Sequence, residues 1–206
     1  MHVFEGTVQQ AAARLAEPDF VARCAARYAA GHGRAPGEEE LTSWANSWPA
    51  LVTALSAAGL GELQLLLEYE LPGSSQRIDA LILGVAAGRL TAVVVELKQW
   101  TTAAPHPVGA GMLRVGGREV LHPARQVGGY VSYLTHWVPA ELGLDVRGLA
   151  FLHNASAELV GHLTAQAAAP VPFIRCWVPP IFPWTPMPRS WRSVCCARGW
   201  NPPTAP

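Results

Sequence analysis

Between Leu63 and Lys98 the chain carries three apolar runs separated by two stretches of turn residues. This segment constrains everything around it. Leu63 to Leu71 reads as a strand, and Pro72-Gly73-Ser74-Ser75 supplies turn chemistry. Gln76 to Leu83 reads as a second strand, Gly84 to Gly88 as a turn, and Arg89 to Lys98 as a third strand. Runs this short, rich in Leu, Ile and Val and bounded by turn residues, suit strands better than helices. Three such strands in sequence form a meander whose apolar faces need covering by other elements.

The flanks supply that cover. Residues 7–30 have helical spacing, with apolar positions at Val8, Ala11, Ala12, Leu15 and Val21. Gly31 to Gly37 is a breaker loop, and Glu38-Glu39-Glu40 suits a helix start, since acids favour the positive end of the helix dipole. The following helix spans 38–58, bent or split at Pro49. Residues 99–121 read as a long Gly- and Pro-rich loop. His122-Pro123 opens a helix that runs to about Trp137, with proline at a favoured first position. Val146 to His153 is a fourth strand, 155–168 a short helix and Val171 to Trp177 a fifth strand. The expected fold is α/β, a mixed sheet flanked by helices. It divides into an N-terminal helical segment (1–37), a central domain (38–174) and a tail (175–206). The 32 residues from Arg175 hold eight prolines, four tryptophans and no acid, a composition expected of a frame-shifted or truncated end.

Composition narrows the function. The formal net charge is zero, which argues against a free-standing nucleic-acid binder, because such proteins draw affinity from excess cations on phosphate. An enzyme whose grip on the strand comes from a partner remains compatible. Cys24, Cys176, Cys195 and Cys196 show no C-x-x-C spacing, so neither a zinc site nor a disulfide framework is expected, and a reducing cytoplasm fits. No signal peptide is evident at the N-terminus, and no apolar run approaches the roughly 20 residues that span a bilayer.

The chemistry-bearing residues cluster on the meander. Lys98 is the only lysine among 15 cationic Lys and Arg side chains, and it follows Glu96 by two positions at the end of a strand. Arginine would not substitute there: it presents a wide planar fork, whereas lysine is a compact charge. Residues two apart on a strand share a face, so Glu96 pairs with Lys98, Glu68 with Glu70, and Arg77 with Asp79. If the first turn closes Leu71 opposite Gln76, Glu70 faces Arg77 and Glu68 faces Asp79. If the second closes Gly84 opposite Arg89, Asp79 faces Val94 and Glu96 is its diagonal neighbour. That register gathers Asp79, Glu96 and Glu70, with Glu70 preferred over Glu68. Converging carboxylates need a counter-charge, and Mg²⁺ or Mn²⁺ with oxygen ligands is the simplest one. Lys98 beside them could polarise an attacking water or stabilise developing charge. Gln126 and Tyr130 share one helix face, and Arg125 and His122 sit at that helix's start, where backbone N–H groups favour phosphate. Trp100 could stack on a base. Arg125, His122, Arg77 and Trp100 are the candidate nucleic-acid contacts.

Arg77-Ile78-Asp79, Glu96-Leu97-Lys98 and Gln126-Val127-Gly128-Gly129-Tyr130 together resemble the PD-(D/E)XK nuclease superfamily, in its RecB-like branch. The wider strings Leu67 to Pro72, Val95 to Trp100 and His122 to Gln126 resemble the nuclease-like domain that precedes the ATPase/helicase half of bacterial Schlafen-type proteins. The resemblance covers about residues 40–170. It implies a restriction-endonuclease-like αβββαβ core and Mg²⁺-dependent (or Mn²⁺-dependent) cleavage of nucleic acid, DNA before RNA. It also implies Asp79, Glu96 and the Leu97 carbonyl as metal ligands, Lys98 as the catalytic lysine, Glu70 as an accessory acid, and Gln126 with Tyr130 as orienting groups. Ile78 stands where the superfamily name has proline. No G-x-x-x-x-G-K-[ST] loop is present, so any ATPase or helicase would be a separate polypeptide. A non-catalytic module that binds nucleic acid or a partner, and a truncated remnant of a nuclease-helicase, are the other readings open to this sequence.

Overall fold

The computed structural model describes residues 1–105 and 111–166, together with two short backbone strands at 173–174 and 184–185. In chain order the elements are β1 (Phe4–Thr7), α1 (Val8–Leu15), α2 (Phe20–His32), α3 (Glu38–Ala57), β2 (Gln64–Glu70), β3 (Arg77–Ala86), β4 (Arg89–Lys98), β5 (Ala104–Pro105), β6 (Met112–Val115), β7 (Arg118–Leu121), α4 (Pro123–Trp137), a 3₁₀ turn (Ala140–Leu142), β8 (Asp145–Leu152), α5 (Ala157–Gln166), β9 (Phe173–Ile174) and β10 (Trp184–Thr185). The main sheet runs β1-β2-β3-β4-β8-β9, with β10 added to the far end of β3. Pairing is antiparallel from β1 to β4 and parallel from β4 through β8 to β9, so the sheet is mixed.

Helices cover both faces. On one side α1, α2 and α3 bury Val8, Phe20, Tyr28, Trp44, Trp48 and Leu51 against Leu65, Leu67, Ala80, Ile82, Val93 and Val95 of the sheet. Residues 1–37 therefore belong to the same core as the meander. On the other side α4 lays Val127, Tyr130 and Leu134 over Leu66, Ile78, Leu81, Ala92 and Val94. A third cluster joins Leu159 and Leu163 of α5 to Ala150 and Leu152 of β8 and to Leu113 of the small β5-β6-β7 sheet. Gly148 lets α4 settle close: a Cβ there would come within 2.2 Å of Val127 Cγ1 and 2.8 Å of Val131 Cγ2.

Several boundaries differ from the sequence expectation. Residues 7–30, expected to be helical, divide into α1 and α2, because Pro18 has no N–H to donate and its ring clashes with a continuing helix. Phe4–Thr7, not expected as a strand, pairs with β2, and Thr7 then caps α1 by accepting the Gln10 N–H. Helix α3 passes through Pro49 without interruption. Within the expected loop 99–121 lie three short strands, β6 and β7 pairing around Gly116-Gly117. Part of the expected strand 171–177 and the tail beyond it lie outside the described residues, β9 and β10 apart.

The second hairpin corrects the expected register. Ala86 pairs with Arg89, so the turn is Ala87-Gly88 and Gly84 lies within the strand. Both turn residues have positive φ (49° and 75°), as in a two-residue turn whose twist matches that of the flanking strands. The shift slides β4 by two residues against β3. Asp79 then stands opposite Glu96, and not Val94, when the ladder is continued one pair beyond Ala80–Val95.

Candidate active site

The carboxyl-bearing end of the meander departs from regular pleating. Strand β2 pairs with β3 at Leu67–Ala80 and again at Tyr69–Ile78, but Glu68 and Asp79 between them form no ladder pair. Glu68 has φ of 52°, in the left-handed region that L-residues other than Asn and Asp rarely enter. Alternation breaks at the same point. Leu66 and Tyr69 face the same cluster under α4, as do Leu81 and Ile78 on β3. The β3–β4 ladder also ends at Ala80–Val95 although both strands run on. Asp79 fills that opening from the side: its Oδ2 accepts the Leu97 N–H at 2.7 Å.

Glu96 is almost fully buried, 2% exposed. Its Oε1 accepts from Lys98 Nζ at 2.6 Å. Lys98 Nζ also donates to Gln126 Oε1 at 3.3 Å, and Gln126 Nε2 donates to the Tyr130 hydroxyl at 3.1 Å. The i, i+4 spacing of Gln126 and Tyr130 thus turns both toward the lysine, and the Lys98 ammonium stands 5.4 Å from the centre of the Trp100 ring. Asp79 and Glu96 lie close enough to share a proton. Burial raises the pKa of both, and each is affected by its neighbours: Asp79's charge adds to the rise at Glu96, while Lys98 offsets part of it at both. Tyr130 is pushed up to about 12, by burial first and then by Glu96 and Asp79, so it keeps its proton.

Glu68 joins this group, and period-2 reasoning did not select it. It is 6% exposed, accepts the Trp44 indole N–H at 2.8 Å, and lies 3.5 Å from Arg77 Nε. Burial and then the charge of Asp79 raise its pKa. The sequence signal was available in a weak form: an acid in the middle of the Leu-rich run that begins at Gln64. Glu70, preferred from sequence, is turned instead toward the N-terminal ammonium at 3.7 Å.

The remaining candidates occupy varied settings. Arg77 is committed to Glu40 and Glu68 and lies over the Tyr28 ring at 4.7 Å. His122 is buried, its Nδ1 accepts the Ala124 N–H at 3.2 Å to cap α4, and burial lowers its pKa, keeping the ring neutral. Arg125 is exposed, with its aliphatic stem against Gly111. Trp100 is half-buried against the α5 cluster.

Donor chemistry at the site suits a hard cation. When Asp79 and Glu96 are both ionised, Glu96 Oε2 is buried without a hydrogen-bond partner. A cation between the two carboxylates would satisfy it and cancel their repulsion. Among the described residues no group of three or more His, Cys, Asp or Glu side chains could hold a metal ion by itself. Two buried carboxylates, completed by a backbone carbonyl, water or phosphate, are a donor set that an ion of the Mg²⁺ type could take. Among the described residues no helix is long and apolar enough to cross a membrane. No protein-family model matches this chain, and neither curated proteins nor solved structures yield a match.

Proposed function

We propose that this chain is a metal-dependent nuclease domain that hydrolyses phosphodiester bonds, DNA in preference to RNA, on a restriction-endonuclease-like core. The observation that carries this reading is the convergence of Glu96, Lys98, Gln126 and Tyr130 through three successive contacts from β4 to α4, with Asp79 of β3 bonded to the Leu97 N–H beside them. With the small β5-β6-β7 sheet set aside as an insertion, the order α3-β2-β3-β4-α4-β8, with β8 parallel to β4, matches an αβββαβ pattern and supports it. Asp79, Glu96 Oε2 and the Leu97 carbonyl would hold Mg²⁺ or Mn²⁺. Such an ion, when bound, supplies Lewis-acid stabilisation of phosphoryl oxygens and a more acidic water.

The chain's own groups do the rest. Lys98 Nζ stands beside the carboxyl pair, where it stabilises negative charge growing on the phosphodiester. Gln126 accepts from Lys98 and donates to Tyr130, so the ammonium is held on one vector and is not free to sweep. The neutral net charge supplies little general attraction for a polyanion, which favours a separate ATPase/helicase polypeptide as the partner that delivers the strand. The test is cleavage of end-labelled DNA and RNA with Mg²⁺ or Mn²⁺, beside Asp79→Ala and Lys98→Ala. The expected result is divalent-dependent cleavage lost in both variants. Cleavage that survives both substitutions, or that persists in EDTA, overturns the reading.

A further inference from the structure

We propose that Glu68 is a positioning residue for Asp79: held by Trp44 and Arg77 in a left-handed backbone conformation, it keeps the β2–β3 ladder open at Asp79 and leaves that carboxylate free to bond the Leu97 N–H opposite Glu96. This rests on the nuclease reading for its effect on catalysis, but its geometry stands without it. Glu68 and Asp79 are the one pair skipped between Leu67–Ala80 and Tyr69–Ile78. A glutamate at φ of 52° persists only where its surroundings over-determine it. Here they do, because both carboxylate oxygens are engaged: Oε1 by the Trp44 indole at 2.8 Å and Oε2 by Arg77 Nε at 3.5 Å.

Arg77 is itself clamped by Glu40 of α3 and by the Tyr28 ring of α2. Helices α2 and α3 thus reach through Glu68 to set the backbone beside Asp79. With the clamp released, the region can relax toward regular pleating, in which residue 79 pairs with 68 and its side chain leaves the Leu97 amide.

The experiment compares Glu68→Gly with Glu68→Gln. Glycine accepts positive φ at no steric cost but removes the clamp, whereas glutamine keeps an acceptor for Trp44 and nearly the full volume. Two readouts are followed: hydrogen exchange at the Leu97 amide, and the Mg²⁺ concentration for half-maximal cleavage, with KM for DNA and kcat measured separately. In Glu68→Gly, Leu97 exchange is expected to speed up about tenfold, the size of one lost hydrogen bond. The Mg²⁺ requirement is expected to rise about 10-fold or more, as for other residues that orient metal ligands, with KM for DNA unmoved. Glu68→Gln is expected to restore most of both. If Glu68→Gly gives no cooperative melt, Trp44→Phe, which removes the indole donor, replaces it with the same expectations. Unchanged Leu97 exchange in the folded glycine or phenylalanine variant overturns the proposal, as does equal loss in Glu68→Gln. Absence of divalent-dependent cleavage by the parent chain, while Leu97 exchange still responds, overturns the nuclease reading and leaves the positioning role standing.

Discussion

The β3–β4 hairpin has two ends built on opposite terms. At the turn end Ala86 pairs with Arg89, Val85 with Leu90 and Gly84 with Thr91, and every ladder pair from there to Ala80–Val95 is made. Around that ladder the side chains are nearly all apolar and fully enclosed. At the other end the ladder stops while both strands continue, and the opening holds Asp79, Glu96 and Lys98. One end gains stability from completed hydrogen bonds and buried area. The other leaves a backbone amide to be met by a side chain and places like charges side by side. The buried charged groups sit where regular pairing has been given up.

The largest expected effect tests the open end. Lys98→Ala should lower the cleavage rate by about 10²–10³, the usual loss on removing one preorganised charge-stabilising group, while the melting temperature stays near that of the parent. A comparable loss of stability in place of activity would mean that the ion pair to Glu96 is structural. Next comes the closed end. Ile82→Ala, at a fully buried position facing α1 to α3, should destabilise by about 2–5 kcal/mol in chemical denaturation and leave residual activity per folded molecule unchanged. Together these two variants separate the ends.

A smaller effect has the opposite sign. Glu68, Asp79 and Glu96 have pKa values raised by burial, so their stabilising contribution is complete below the ordinary carboxylate range and is lost as pH rises through the raised values. Without divalent ions the melting temperature should therefore fall across that window toward neutral pH, and saturating Mg²⁺ should flatten the fall. Asp79→Asn should raise metal-free stability at pH 7, read as a higher melting temperature, while abolishing cleavage. A metal-free melting profile that climbs over the same window would refute the charge arrangement. The smallest effect sharpens the closed end: Ala87→Gly relieves a positive φ at an L-residue and should add about 1 kcal/mol, read as a higher denaturant midpoint with activity unaltered.

How much of this was legible in the sequence follows from which rule governed each residue. The meander, the start of α4 at His122-Pro123 and the shared Gln126–Tyr130 face of that helix obey local rules, and the structure has them where the spacing put them. The hairpin register was off by two residues because Gly84 looked like the turn, whereas the turn residue with positive φ beside Gly88 is an alanine, which carries no turn signal. That slip separated Asp79 from Glu96 by a diagonal step when they stand opposite. Preferring Glu70 over Glu68 failed for a different reason. Strict alternation assumes an unbroken pleat, and Glu68 breaks it through bonds to Trp44 and Arg77, partners 24 and 9 residues away in sequence that no local pattern announces. The small β5-β6-β7 sheet was hidden by glycine- and proline-rich composition that also suits loops.

Gly148 carries no functional group, and it lies on β8 opposite Val94, well inside the closed half of the sheet. Yet a methyl there would push against Val127 and Val131 of α4, the helix that carries Gln126 to within 3.3 Å of Lys98. The helix behaves as a lever resting on a single hydrogen atom. On the nuclease reading, rate could thus be adjusted through the fulcrum, at a residue that lies outside the Asp79, Glu96 and Lys98 group.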